Sequence, residues 1–292
     1  MKSCMVVNNR ENRTDRHIYE DLYLDRNRQV TKGIRTGMIQ ATYRKKGIRI
    51  TQVWYPDGEN HKFTGTDLVF YHAVDKEDNG KNRMATMFHT LMSDLTLPEE
   101  ELQSRINKNV RYEIRRNNKE EVEFRHFTSK ELQENSRVQE EFAHMYELMY
   151  EEKGMKAVFN RPQLAAYLKE DAFALTGIYK DGKPVVFHSY IVGENEVRLL
   201  HSVSAFRDEN TDANFVARAN KRLHWDDILL WKAQGKEKYD WGGVSSLENP
   251  NGIDAFKFKF GGETLTYYNV YEGISLIGKL AIGVLKKRKG KA

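Results

Sequence analysis

Cysteine is almost missing from this 292-residue chain. Cys4 stands alone, which excludes a disulfide framework and any cysteine-based zinc or iron–sulfur site. It is also consistent with a reducing compartment. Proline occurs only five times and no serine- or glycine-rich tract is present, so collagen-like and linker-rich architectures are excluded. No stretch reaches the roughly 18–20 apolar residues that cross a bilayer. The first dozen residues lack the apolar core of a signal peptide, so a soluble, cytoplasmic protein is expected.

Familiar catalytic signatures are missing too. There is no Gly-x-Gly-x-x-Gly, no Gly-x₄-Gly-Lys-Ser/Thr, no His-Glu-x-x-His and no Gly-x-Ser-x-Gly. Nine histidines are scattered without metal-ligand spacing. His188 and His201, on consecutive expected strands, read as sheet residues rather than ligands. Dehydrogenase, kinase, zinc-hydrolase and serine-hydrolase chemistry find no support here, and no metal is expected.

What is present is charge and aromatic mass. Charged residues make up 30% and aromatic residues 11%, enough for a folded core under a highly polar surface. The net charge of +5 is unevenly spread. Residues 1–50 carry 12 basic against 5 acidic side chains, and residues 286–292 carry five basic ones and no acid. The body between them is therefore acidic. Basic ends suit phosphate, on a nucleic acid or on a membrane surface, or simply stay solvated. At the C-terminus the cluster follows the apolar run Ile274–Leu285. That run predicts either an interfacial anchor at 274–291 on an anionic membrane or a last helix docked on the body.

The element pattern is mixed. β-Branched and aromatic runs at 34–44, 48–55 and 67–74 predict strands, separated by Lys45-Lys-Gly47 and Pro56-Asp-Gly58. Thr96-Leu-Pro-Glu99 reads as a capping box opening a helix. Its apolar stripe is Leu102, Ile106, Val110 and Ile114, and its basic stripe is Lys108, Arg111 and Arg115. A strand at 122–127, helices around 138–149 and 161–169, a three-strand meander at 173–204 and a long helix at 212–234 follow. A strand at 239–241, a short helix at 252–258 and a strand at 264–271 complete the order. This predicts an α+β fold rather than a doubly wound parallel sheet.

The most informative region is glycine-rich. Lys238-Tyr-Asp-Trp-Gly-Gly243 and Phe256-Lys-Phe-Lys-Phe-Gly-Gly262 each end in a glycine pair, which lets the backbone turn sharply and approach a ligand. Phe256 and Phe260 alone would be explained as buried core at i, i+4, but the bracketing glycines would not.

These two motifs, in this order and after the helix Ala217–Ile228, resemble the C-terminal signature of the Fem-type peptidoglycan-bridge aminoacyltransferases. They are equally similar to the related BioF2-like acyltransferase domain. The basic helix Asn109–Arg116 adds to the resemblance, which spans about residues 95–272. The resemblance implies an acetyltransferase-like (GNAT) fold, a mixed sheet flanked by helices. A degenerate, smaller, mainly β half at 1–95 would precede the acyltransferase domain at 96–272, with an apolar-basic tail at 273–292.

It also implies N-acyl transfer from acyl-CoA or aminoacyl-tRNA, as co-substrate rather than bound cofactor. The acceptor would be an amine of a nucleotide-linked or lipid-linked sugar, a cell-envelope precursor. Two departures stand out. Where acyl-CoA enzymes of this fold carry a glycine-rich pyrophosphate loop, residues 205–212 hold three acids and no glycine, and no coiled-coil arm is visible.

Acyl transfer to an amine needs a positioned donor and a cation or N–H groups at the developing oxyanion. No nucleophile–base pair is apparent, so direct attack without an acyl-enzyme is expected. Lys257 is the cation candidate, beside Phe256, and Asp240 and Glu263, next to the glycine pairs, are the candidates for a general base. Lys108, Arg111 and Arg115 would hold a phosphate or serve structural ion pairs. Tyr239, Gly242, Gly243, Gly261 and Gly262 would border the substrate. Two other classes remain open. One is nucleic-acid binding by the basic N-terminal region with Tyr19, Tyr23 and Tyr43. The other is a non-catalytic role on a membrane surface.

Overall fold

A computed structural model describes residues 37–58, 61–205 and 212–289. The basic N-terminal segment with Tyr19 and Tyr23, and the acidic stretch 206–211, lie outside the described residues.

Four strands open the described chain: β1 (Ile39–Lys45), β2 (Ile48–Trp54), β3 (Leu68–Val74) and β4 (Arg83–Asp94). Sequence reading missed β4. Its polar and apolar residues alternate irregularly because it sits inside the sheet and is covered on parts of both faces. Two short helices follow, α1 (Glu99–Arg105) and α2 (Lys108–Asn117). They correct the single helix expected here, since the chain becomes extended at Ile106. Asn107 then caps α2 by accepting from the Asn109 N–H at 2.9 Å. The capping box expected at Thr96 does not form either: the Thr96 N–H donates to Asp94 at 2.9 Å, and Pro98 is the residue before α1. The apolar stripe nevertheless stays in register, with Leu102, Ile106, Val110 and Ile114 all buried.

Next come β5 (Glu123–Thr128), α3 (Ser129–Glu134), α4 (Ser136–Glu151) and α5 (Arg161–Lys169). A reciprocal Thr128–Glu131 capping box starts α3. The meander is β6 (Phe173–Lys180), β7 (Lys183–Val192) and β8 (Glu196–Ser204). The 21-residue α6 (Ala213–Ala233) crosses from β8 to β9 (Lys238–Val244), as a parallel strand pair requires. Then α7 (Gly252–Phe258), β10 (Glu263–Gly273) and α8 (Leu276–Lys289) close the described chain.

All strands join one ten-stranded sheet in the order β1-β2-β3-β10-β4-β9-β8-β7-β6-β5. Pairing is antiparallel except at β2–β3 and β8–β9. β10, from the expected 96–272 unit, lies between β3 and β4 of the expected 1–95 unit. Successive side chains point to opposite faces, so β7 serves two cores. Phe187 and Ile191 pack with α4 and α5, in a cluster containing Phe142, Phe159 and Tyr167. On the other face Tyr190 meets α2 and α6, with Ile114, Ile228 and Trp231. Burial on both faces explains why β6 and β7 read as nearly continuous apolar runs.

Candidate active site

β8 and β9 pair through only three rungs, Glu196–Lys238, Val197–Tyr239 and Arg198–Asp240. Pairing stops there, although β8 runs on to Ser204 and β9 to Val244. The stop has a local cause. Gly242 sits at φ +73°, and a Cβ there would lie 2.8 Å from the Leu199 carbonyl oxygen. Only glycine lets β9 bend this close to β8 without a clash.

A cavity of about 570 Å³ opens at this place. Leu199, Leu200 and His201 border it on one strand, Gly242 and Gly243 on the other. Its floor takes residues from β1, β2, β3 and β10. Its far wall is the start of α5 with the chain leading into it. The lining is unusually aromatic, with Tyr43, Trp54, Phe70, Tyr167 and Tyr271 among its members.

Two cations line it, the exposed Lys45 at the end of β1 and the buried Arg198 on β8. Arg198 is the one fixed by partners. Its Nη1 donates to Asp240 Oδ2 at 3.0 Å, and both side chains are buried. The guanidinium also lies 4.4 Å from the Phe88 ring and 5.3 Å from the Trp54 ring. Asp240 is held in turn: its Oδ1 accepts from the Gly242 N–H at 2.7 Å and from the Thr90 hydroxyl. Trp54 stacks on His72 with ring centroids 3.5 Å apart, and donates to the Tyr167 hydroxyl at 3.1 Å. His72 Nε2 lies 2.5 Å from Gln52 Oε1. That geometry needs the proton on Nε2, in a ring that burial, and then Arg198, keep neutral by pushing its pKa well down.

His201 is the second histidine in the cavity lining. Burial lowers its pKa to about 4, so the ring is neutral at pH 7. Its Nδ1 is 2.9 Å from the Ser189 hydroxyl, and the Tyr146 ring meets it edge-on at 5.1 Å. His188 does not face it. The two side chains lie on opposite faces of the sheet.

His188 belongs to a separate network beneath α6. Its Nδ1 lies 2.7 Å from Asp227 Oδ2, which also accepts from the Tyr190 hydroxyl at 2.6 Å. Tyr190 is 2.9 Å from the Tyr239 hydroxyl, and His188 Nε2 is 2.8 Å from Asn220 Oδ1. Ligand atoms of His188, His224 and Asp227 lie within 4.8 Å of one another, a spacing compatible with a metal ion. The hydrogen bond between His188 and Asp227 accounts for the closeness of that pair, while His224 touches the network through a 3.5 Å contact of its Nδ1 with the Tyr239 hydroxyl.

The expected site residues divide. Asp240, Gly242 and Gly243 meet at the opening between the strands. Lys257, on α7, joins them by donating to the Gly243 carbonyl at 2.7 Å. Burial lowers the pKa of its ammonium, against the opposing pull of Asp240 and Asp254. Lys257 does not line the cavity, however; the buried cation that does is Arg198. Phe256 and Phe260 pack on His224, with ring centroids 5.4 Å away in each case. Tyr239 points into the network beneath α6 rather than into the cavity.

Gly261 and Gly262, at φ +77° and +119°, bring β10 tightly against α1 and β4: Cβ atoms there would meet Arg105 at 2.8 Å and the Met92 carbonyl at 2.6 Å. Lys108, Arg111 and Arg115 lie on α2, which packs on α6, and none of them lines the cavity. Glu263 begins β10 opposite Met92 and is exposed. Sequence reading missed Arg198, His201, Trp54 and His72. Arg198 carried one usable signal, a lone arginine inside an otherwise apolar strand, Val197-Arg-Leu-Leu200.

No family model matches the chain, and no curated protein matches it in sequence. Solved structures do. The C-terminal domain of a putative lysylphosphatidylglycerol synthetase from Agrobacterium fabrum superposes with a TM-score of 0.53 at 14% identity, over 85% of this chain and 84% of that one.

The chain has that domain's fold.

FemX superposes at 0.49 and 12% identity, over 69% of this chain and 65% of that one. L-PGS from Bacillus licheniformis superposes at 0.47 and 13%, over 87% and 86%. The expected α+β fold, a mixed sheet flanked by helices, is the fold observed.

Proposed function

We propose that this chain is an N-acyltransferase. It would carry an acyl or aminoacyl group from an activated donor, acyl-CoA or aminoacyl-tRNA, to an amine of a cell-envelope precursor or amino sugar. The acceptor would be linked to a nucleotide or a lipid and met at the cytoplasmic face. The observation that carries this reading is the opening between β8 and β9, with Arg198 and Asp240 at its last paired rung.

Parted strands leave main-chain groups inside the sheet that can pair with an extended donor arm, as an added strand would. A donor carbonyl placed there lies close to the Arg198 guanidinium. Attack by an amine forms the new C–N bond and turns that carbonyl into an oxyanion. Collapse of the tetrahedral intermediate then breaks the C–S bond of a thioester or the C–O bond of a tRNA ester. The leaving sulfur or ribose oxygen takes up, through water, the proton that the nitrogen gives up. A fixed cation in a half-enclosed, aromatic-lined cleft stabilises the oxyanion more than the neutral ester or thioester. Lys257 adds positive charge behind Gly243 and holds that turn in place. His201, a neutral imidazole of low basicity, accepts a hydrogen bond from the incoming amine rather than storing its proton. The aromatic walls suit a ring-containing or acyl substrate.

The likeness to the Agrobacterium fabrum domain supports the fold, and that protein's description supports aminoacyl transfer to a lipid as one case of the reaction. The test is mass spectrometry of the purified protein with acyl-CoAs and charged tRNAs, each with amino-sugar and lipid-amine acceptors. A mass gain on an acceptor that disappears in Arg198→Met supports the reading. Failure of every donor to bind, together with tight nucleic-acid binding at physiological salt, overturns it.

A further inference from the structure

The C-terminal helix α8 is docked and exposed at once. Its start is locked to the sheet. Ile274 N–H donates to the Asp67 carbonyl at 2.9 Å and the Ser275 hydroxyl to Asp67 Oδ1 at 2.7 Å. Gly278 passes so close to β3 that a Cβ there would fall 1.8 Å from the Asp67 oxygen. Further along, Ile282 is 1% exposed against Leu68 and Met84, and Lys286 donates to the Gly80 carbonyl at 2.8 Å.

The opposite face is apolar and bare. Leu276 is 80% exposed, Ile277 57%, Leu280 72% and Val284 51%. At 3.6 residues per turn these four fall within a sector of about 100°. Single exposed apolar side chains are ordinary, but four on one face of one helix form a patch. Lys279 and Arg288 flank that sector on its two sides, and Lys287 lies within it beside Leu280. No acidic residue occurs between positions 274 and 289.

We propose that α8 lies flat in the surface of an anionic phospholipid bilayer. Its apolar stripe would enter the headgroup–acyl boundary, and Lys279, Lys287 and Arg288 would sit among the phosphates. Charge selects this occupant. A protein partner would have to match a one-signed basic border around an apolar stripe, whereas a bilayer supplies hydrocarbon beneath an anionic layer on all sides.

The position of α8 gives the docking a purpose. Ile50, Leu68 and Tyr271 pack toward α8 on one side and line the cavity on the other. The cavity is therefore about one helix width from the bilayer, roughly 10 Å. On the acyltransferase reading, a membrane-resident acceptor would reach it without leaving the surface. The docking itself does not depend on that reading.

The experiment uses the full chain with sedimenting vesicles of phosphatidylcholine, alone or with phosphatidylglycerol added. The expected result is binding to the mixed vesicles that weakens as salt is raised. Leu276→Gln with Leu280→Gln should lower partitioning about tenfold or more, because both side chains are exposed and lose only contacts with the bilayer. Lys287→Glu with Arg288→Glu should remove the preference for anionic vesicles.

Circular dichroism and thermal midpoints check that each variant is folded. Leu276 and Leu280 are largely exposed and lie outside the apolar cluster beneath α8, so their variants should stay folded even where a truncation would not. Absence of wild-type binding, or equal pelleting of wild type and variants, overturns the proposal. So does a concentration-dependent dimer lost in Leu276→Gln/Leu280→Gln without vesicle binding. Turnover of a soluble donor and acceptor should be unchanged in these variants, so a failure of docking and a failure of the acyl-transfer reading are read separately.

Discussion

Arg198 and Asp240 face each other across the last paired rung of β8 and β9, joined by a 3.0 Å hydrogen bond between two buried side chains. Beyond them the sheet opens. The pair thus marks where backbone pairing ends and the cavity begins. Its cation faces the cavity, and its carboxylate is held from behind by the Gly242 N–H and the Thr90 hydroxyl.

Arg198→Met should abolish measurable acyl transfer and also destabilise the protein by about 3–5 kcal/mol, because Asp240 is left buried without its cation. The double variant Arg198→Met/Asp240→Asn separates the two effects. Urea denaturation should show most of the stability restored, while turnover stays lost. Recovery of turnover along with stability would make the arginine a structural ion-pair partner only.

Lys257 and Lys259 lie two residues apart and should behave differently. Lys257 is half-buried and bonded to Gly243, whereas Lys259 is an exposed residue just past α7. Lys257→Met should lower turnover by about tenfold or more, less than the loss of Arg198, because its ammonium acts from behind Gly243 rather than on the oxyanion itself. Lys259→Met should cost less than about tenfold. Donor affinity should change less than turnover in Lys257→Met, which steady-state and equilibrium binding measurements together resolve. Similar small effects in both would remove Lys257 from the reaction centre.

Gly242→Ala should close or distort the opening. The new methyl would press on the Leu199 carbonyl oxygen from a left-handed backbone, at a cost of roughly 2 kcal/mol or more. Gly252→Ala is the matched control. It starts α7, has nothing within 4 Å of the added carbon, and should be neutral or stabilising by up to about 1 kcal/mol. Chemical denaturation of the two variants compares them directly.

Acid should destabilise the protein through three histidines kept neutral by burial. His201 has its pKa lowered to about 4, and burial also holds His72 and His224 well below the ordinary imidazole value. Below the unfolded-state value near pH 6.5 the unfolded chain binds protons that the folded chain refuses, so stability falls as pH falls. For His201 the loss runs from about pH 6.5 to about 4, at up to roughly 1.4 kcal/mol per pH unit. Urea midpoints at pH 7, 6 and 5 should decline, and His201→Asn should flatten the decline by about one proton. An unchanged slope in that variant would show His201 to be protonated in the folded state.

Much of the fold can be read along the chain because local signals agree with it. The meander at 173–204, α6 and α7 were legible from strand-forming runs, turn glycines and the stop at Gly235. β4 was not, since a strand covered on parts of both faces lacks the alternation that a half-exposed strand shows. The apolar stripe expected from Leu102 to Ile114 was kept, but the helix broke at Ile106, where the chain becomes extended. There the Asn107 N–H donates to the distant Lys259 carbonyl at 2.7 Å, and the Asn107 side chain caps a new helix.

The glycine pairs were identifiable as close approaches because no other residue explains two of them bracketing a phenylalanine-rich helix. What each pair approaches depends on chain segments far away in sequence. Gly242 abuts Leu199, while Gly262 abuts Met92.

The site divides in the same way. By itself the sequence determined the chemical inventory near β9 and α7, namely Asp240, Lys257 and the glycines, because these lie within one short stretch. Only the tertiary structure decided that Arg198 rather than Lys257 lines the cavity, and that Trp54, His72 and His201 share it. These residues come from β2, β3 and β8, and no local spacing relates them. They meet because β10 threads between β3 and β4 and because β8 and β9 stop pairing after three rungs. Sheet pairing is non-local, and so is the site that it builds.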